Sequence, residues 1–302
     1  MGILDSFRLD GKAALVTGSG QGIGRIFAIA LAEAGANVLI ADINEKTGPL
    51  VSAEIRELGR KSAFVQTDVT KEGDCQRMVD VAVEEFGGLD IAVNSAWAGG
   101  RAGAVRGVKS TAADLPVEEW DFVHGLLLRG VFMCCRAEAR AMMQRGRGKI
   151  INMASMSAYI MNANVAYCSA KAGVIALSKR LAVEWGPYNI NINSISPSYT
   201  LSPARRRDSQ ENRDLIRALH PIGWHERPDD IAGTLIYLAS DASNYVTGHD
   251  VLVDGGHTLN VWLSPIERVY PPLVSENQET RSLIHDLDML GLPHDENGVV
   301  ID

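Results

Sequence analysis

Tyr167 and Lys171 stand four residues apart in the run Tyr167-Cys168-Ser169-Ala170-Lys171. At that spacing both side chains project from one face of a helix. A free tyrosine titrates at about 10, too high for a good base at neutral pH. A neighbouring ammonium favours the phenolate and lowers that value, which makes the pair a usable acid–base catalyst. Ser155, twelve residues earlier at the end of an apolar run, can hydrogen-bond a substrate oxygen where negative charge develops. Taken alone, a tyrosine and lysine at this spacing also suit an ordinary helix surface. What surrounds them therefore decides their meaning.

The second informative constellation is Thr17-Gly18-Ser19-Gly20-Gln21-Gly22-Ile23-Gly24, which follows the apolar run Ala13-Ala14-Leu15-Val16 and opens a helical pattern from Ile26 to Leu31. Strand, glycine turn and helix start bring free backbone N–H groups and a positive helix end to face a pyrophosphate. A second apolar run, Ala36 to Ala41, ends in Asp42, eighteen positions beyond Gly24. A dinucleotide fold places there the acid that holds the adenosine ribose hydroxyls. The residue after Asp42 is Ile43 and not an arginine, which favours NAD(H) over a 2′-phosphorylated cofactor.

These residues need a scaffold, and the chain supplies a regular one. Strand-like runs near 12–17, 36–41, 61–66, 89–94, 148–153, 190–195 and 250–253 alternate with helical patterns near 22–34, 45–58, 72–86, 118–145, 165–186 and 228–239. Such alternation predicts an α/β fold: a doubly wound parallel sheet of about seven strands, helices on both faces, and ligands beyond the carboxyl ends of the strands. Two stretches break the rhythm. One runs from Ala96 to Pro116 and carries Arg101, Arg106 and Lys109; the other runs from Ser198 to Gln210 and carries Arg205-Arg206-Arg207. Each reads either as a solvated charge run or as a lid whose arginines meet an anionic substrate.

Composition bounds the partners. With 302 residues, 46% of them hydrophobic, the chain can bury a sizeable core. A net charge of −8 argues against nucleic acid as the main partner. No stretch is long and apolar enough to span a bilayer, and the first residues lack a signal-peptide layout. Cys75, Cys134, Cys135 and Cys168 show no metal-ligand spacing and read as reduced thiols, so a cytoplasmic location and no metal are expected. From His257 onward eight acids face two bases, so this tail contributes −6 of the total. Residues 1–256 are expected to form one dehydrogenase-type domain and 257–302 an acidic extension packed across its own or a neighbouring subunit's crevice.

On these motifs the chain resembles the short-chain dehydrogenase/reductase family from about Leu9 to Gly256. The matching residues are Gly18, Gly22 and Gly24; Asp68-Val69 after the third strand; Asn94 after the fourth; and Ser155, Tyr167 and Lys171. The segments Arg227-Pro228-Asp229-Asp230-Ile231-Ala232 and Thr247-Gly248 through Val253-Asp254-Gly255-Gly256 also match. The resemblance implies that Tyr167 transfers the proton, Lys171 tunes it and grips the nicotinamide ribose, and Ser155 orients the substrate. It implies that Gly18, Gln21, Gly22, Ile23, Gly24, Asp42, Ile43, Asp68, Val69, Asn94, Thr200 and Ser202 line the cofactor, and that the chain assembles into a homodimer or homotetramer. Several positions depart from the family pattern, among them Ser95 for an asparagine and Ser202 for a threonine. Trp97 stands where a glycine is usual, Ser198 replaces the glycine after Pro197, and Leu127 replaces an asparagine that helps to hold a relay water. Leucine cannot hydrogen-bond, and His124, one turn earlier, is a conceivable substitute.

The expected activity is NAD-dependent hydride transfer between a nicotinamide cofactor and a small-molecule secondary alcohol or ketone, with polyols and sugar derivatives foremost. Two alternatives remain: a ketoacyl or other carbonyl reductase acting on an anionic substrate, and an NAD-binding regulator without turnover.

Overall fold

Ala13–Thr17 (β1) is five consecutive buried residues, the pattern of a strand covered on both faces. The computed structural model describes residues 2–97, 112–200, 216–223 and 226–259. Six further strands join β1: Asn37–Asp42 (β2), Ser62–Gln66 (β3), Ile91–Asn94 (β4), Gly148–Met153 (β5), Ile190–Pro197 (β6) and Asp250–Val253 (β7). All neighbours pair in parallel, in the order β3-β2-β1-β4-β5-β6-β7. The order reverses between β1 and β4, and ligands of open parallel sheets bind beyond such a reversal.

The helices are Gly22–Glu33 (α1), Gly48–Glu57 (α2), Glu72–Phe86 (α3), Val117–His124 (α4), Gly130–Arg145 (α5), Ser157–Ile160 (α6), Val165–Trp185 (α7) and Pro228–Ala239 (α8). Alternate strand residues feed two cores, as the period of a strand requires. Leu15, Leu39, Ala92, Ile150 and Ile192 pack with α3, α5 and α7. Ala14, Val16, Ile40, Val93 and Ile151 pack with α1, α2 and α8.

The doubly wound parallel sheet expected from the alternation is present, with strand boundaries close to those read from the sequence. The single helix expected over 118–145 is broken: α4 and α5 are joined by a π-helical turn, Gly125–Arg129, that contains Leu127. No helix among the described residues is long and apolar enough to cross a membrane.

The chain divides into two compact units, Met1–Pro197 with Pro228–Val253 and Ser198–Arg227 with Asp254–Asp302. The first contains the sheet and its helices. In the second, the Ser198 hydroxyl meets His220 Nε2 at 2.7 Å and His257 Nδ1 at 3.3 Å, and the two imidazoles pack edge to face. Burial lowers the pKa of both histidines, that of His257 to about 4.

Candidate active site

The glycine turn is built by close approach. Gly18 has φ +68°, and a Cβ there would lie 2.6 Å from Ala96 Cα on the chain leaving β4. A Cβ on Gly24 would lie 2.2 Å from the Gly18 carbonyl oxygen. Gly22 has φ +60° and open space beside it, at the N-terminus of α1, where backbone donors are unsatisfied within the helix. Gln21 is the exposed N-cap residue and its side chain makes no capping bond; Ile23 is half-buried.

Asp42 closes the turn from β2. Its Oδ2 accepts from Gly20 N–H at 2.7 Å and its Oδ1 from Asn44 N–H at 2.8 Å. A side chain on Gly20 would strike that carboxylate. Ile43, next in the chain, is exposed. Asp68 accepts from the Thr70 N–H and hydroxyl and pairs with Lys71 at 3.4 Å. Burial raises its pKa, yet these bonds together hold it below the ordinary aspartate value. Val69 is buried, and its carbonyl accepts from the Cys75 thiol.

Asn94 points into the protein. Its amide nitrogen donates to Glu138 Oε2 and Asn152 Oδ1, each at 3.0 Å. Asn152 in turn donates to Ser178. Glu138 is fully buried, and burial pushes its pKa up to about 8, opposed only by the Asn94 bond. Asn94 Oδ1 and Glu138 Oε1 find no hydrogen-bond partner among the described residues.

Asn164 caps α7: its side chain accepts the Tyr167 backbone N–H at 2.9 Å, which sets where the helix begins. Tyr167 and Lys171 follow one turn apart. The Lys171 side chain is buried, its Nζ donates to the Met153 carbonyl at 2.6 Å, and the nitrogen sits 5.9 Å from the Tyr167 ring centroid. Burial lowers the Lys171 pKa to about 8, so the amine is an ammonium at neutral pH and titrates just above it. Ser155 is the second residue after β5, and its hydroxyl accepts from Ser157 N–H at 3.2 Å. The structure thus gathers Tyr167, Lys171 and the Met153–Ser155 segment at one end of β5. The glycine turn and Asp42 gather at the ends of β1 and β2.

The departures from the family pattern also find places. Leu127 is buried with Val123, Ala166 and Ala170, and Tyr167 packs against the same cluster. The His124 ring stacks on Trp120 at 4.0 Å, with Nδ1 against the Trp120 carbonyl and Nε2 against the Ser169 hydroxyl, both at 3.1 Å. The indole of Trp97 meets the Tyr167 ring edge to face, centroids 5.4 Å apart. In the second unit, Thr200 is buried and its hydroxyl donates to Glu226 Oε2 at 2.6 Å. Ser202, the arginine-bearing stretches and the tail beyond Leu259 lie outside the described residues.

Nothing in the sequence signalled the side-chain role of Thr17, whose Oγ1 accepts from both Ser95 N–H and Ala96 N–H, and the Asn164 cap was passed over. The cap was legible, since an Asn immediately before the first residue of an apolar helical pattern is a start signal. Nothing local marked Glu138 as buried.

Residues 18–258 match the sequence family described as enoyl-(acyl carrier protein) reductase. The chain is 38% identical over 256 residues to the D-threitol dehydrogenase of Mycolicibacterium smegmatis, a match covering 84% of this chain and 95% of that one. The chain belongs to the short-chain dehydrogenase/reductase family. Another member, the NAD-dependent glycerol dehydrogenase of Listeria innocua, is 35% identical, with 84% of this chain and 96% of the relative covered. A solved structure, 7α-hydroxysteroid dehydrogenase complexed with NADH and 7-oxo glycochenodeoxycholic acid, is 32% identical; it superposes with a TM-score of 0.77 over 85% of this chain and 98% of that one. Membership makes the protein an oxidoreductase acting on CH–OH groups, with the nicotinamide cofactor chemistry typical of the family.

Proposed function

We propose that the protein is an NAD-dependent dehydrogenase of secondary alcohols, polyols or sugar derivatives among them, with Tyr167, Lys171 and Ser155 as its catalytic residues. The observation that carries this reading is the buried Lys171 amine, tied to the Met153 carbonyl one helical turn from Tyr167. The residues fit a dinucleotide: Gly22 leaves open space at the start of α1, and the Asp42 carboxylate stands at the end of β2. Gly18, Gln21, Gly22, Ile23 and Gly24 would hold the pyrophosphate region. Asp42 with Ile43 would hold the adenosine ribose, and Asp68 with Val69 the adenine. A carboxylate oxygen has more than one acceptor site, so Asp42 can serve ribose hydroxyls while keeping Gly20 and Asn44. The amide of Asn94 is engaged in the buried network, so its contribution would come from its backbone.

A bound nicotinamide ring supplies the hydride acceptor. The chain's own residues handle the proton. The Lys171 ammonium lowers the cost of a phenolate at Tyr167, whose oxygen takes the proton of the substrate hydroxyl. Ser155 donates a hydrogen bond to the substrate oxygen and holds it in place. The names of the two polyol-oxidising relatives support oxidation as the working direction.

The test is turnover in two comparisons. Tyr167→Phe keeps the ring and removes the ionisable hydroxyl, so kcat should fall by about 10²–10⁴ while NAD affinity holds. Undiminished turnover would overturn the assignment. NADP should be used at least about tenfold less efficiently than NAD, because Asp42 repels a 2′-phosphate. Equal kcat/KM for the two cofactors would overturn the preference, and Asp42→Ala should narrow it.

A further inference from the structure

Trp97 is the third residue after Asn94 on β4, and Ser155 is the third after Asn152 on β5; Asn94 and Asn152 are paired in the sheet. The two residues therefore leave adjacent strands at matching heights. The path to Trp97 is held firmly, because Thr17 Oγ1 accepts from Ser95 and Ala96 N–H groups at 3.1 and 3.3 Å, and Gly18 packs its backbone against Ala96. From that fixed point the indole reaches the Tyr167 ring at 5.4 Å and 84°, with 43% of the residue still exposed. Tyr167 also packs against the apolar group of Val123, Leu127, Ala166 and Ala170. Beside the Lys171 amine, the Tyr167 ring thus meets an indole and an apolar group, in a family where the Trp97 position usually carries no side chain.

Such surroundings discriminate between alcohols. An open-chain polyol carries a hydroxyl on each carbon, and every hydroxyl that loses water without gaining a partner costs free energy. A ring presents one face of C–H groups that can lie on an indole while the reacting hydroxyl points elsewhere. We infer that Trp97 is a substrate platform and that the site takes a cyclic secondary alcohol, either alicyclic or the C–H face of a cyclic polyol, in preference to an open-chain one. This inference rests on the dehydrogenase reading and narrows its substrate class.

The test measures binding instead of turnover. Enzyme saturated with NADH forms a non-reacting complex with an alcohol, and its affinity can be measured by calorimetry. The probes are matched for carbon number: cyclohexanol against 2-hexanol, and myo-inositol against sorbitol. In at least one pair the ring should bind about threefold to tenfold tighter, the scale of an aromatic contact. Trp97→Gly should remove that preference and Trp97→Phe should keep most of it, with NADH affinity unchanged in both. Equal affinities within both pairs, a preference that survives in Trp97→Gly, or binding of none of the four would overturn the inference. A ring preference in binding without NAD-dependent turnover of any of the four would count against the dehydrogenase reading while leaving the platform standing.

Discussion

Glu138 is the residue whose chemistry is most at odds with its surroundings. It is fully buried, no cation among the described residues offsets it, and its one described side-chain contact to a donor is the Asn94 amide. A carboxyl group with a folded pKa of about 8 binds its proton more tightly in the native state than in the unfolded chain, where 4.5 applies. Its stabilising effect is therefore complete below about pH 4.5 and is lost as pH rises through 8. The shift corresponds to about 5 kcal/mol at most. Glu138→Gln removes the titration and keeps the shape. Relative to wild type, the variant should gain stability steadily between about pH 5 and 8 in urea unfolding, and the gain should level off above pH 8. A wild-type-minus-variant difference that stays flat over this range would show that Glu138 is ionised in the folded protein. The comparison within one pair of proteins also cancels the opposite titration of the buried Lys171, which is common to both.

At the scale of elements, the junction of α4 and α5 holds the residue that replaces the family asparagine. The π-helical turn Gly125–Arg129 carries Leu127 inward, into a cluster with Val123, Ala166 and Ala170 against which Tyr167 packs. π turns within helices often occur at functional sites. Here the inward side chain is apolar, so the turn shapes a wall and offers no side-chain hydrogen bond. An asparagine placed there would bury an amide among carbon atoms. Leu127→Asn should therefore destabilise the fold by about 2–3 kcal/mol and should not raise kcat. A raised kcat with unchanged melting temperature would show that a polar relay had been missing at this position. The neighbouring His124–Ser169 contact is a separate polar link on the same helix pair, and it is intact beside an apolar Leu127.

For the whole molecule, charge and chain division draw different boundaries, because the second compact unit takes in Ser198–Arg227 as well as the acidic tail. The tail carries −6 of the net −8, while the sheet, the glycine turn and the Tyr167–Lys171 pair all belong to Met1–Pro197 with Pro228–Val253. A truncation after Leu259 keeps His257 in contact with His220 and Ser198. The shortened protein should bind NAD within about threefold of the full chain, a difference under 1 kcal/mol. Loss of NAD binding in a truncated protein that still unfolds cooperatively would show that the extension contributes to the cofactor site.

What the sequence alone determined was everything whose signal lies within one element or one turn. Strand and helix periods, the glycine turn after β1, Asp42 at the end of β2 and the one-turn spacing of Tyr167 and Lys171 are all local patterns, and the fold class follows from their alternation. Trp97 could be read as unusual but not as a neighbour of Tyr167, since β4 and α7 are brought together only by the packing of sheet and helices. Glu138 looks like a surface residue of α5 until that helix lays it against Asn94, whose amide also donates to Asn152. The same holds for the Lys171 amine on the Met153 carbonyl and for Thr200 on Glu226. Each of these depends on which layers close over one another, and burial then sets the charge state that local sequence cannot encode.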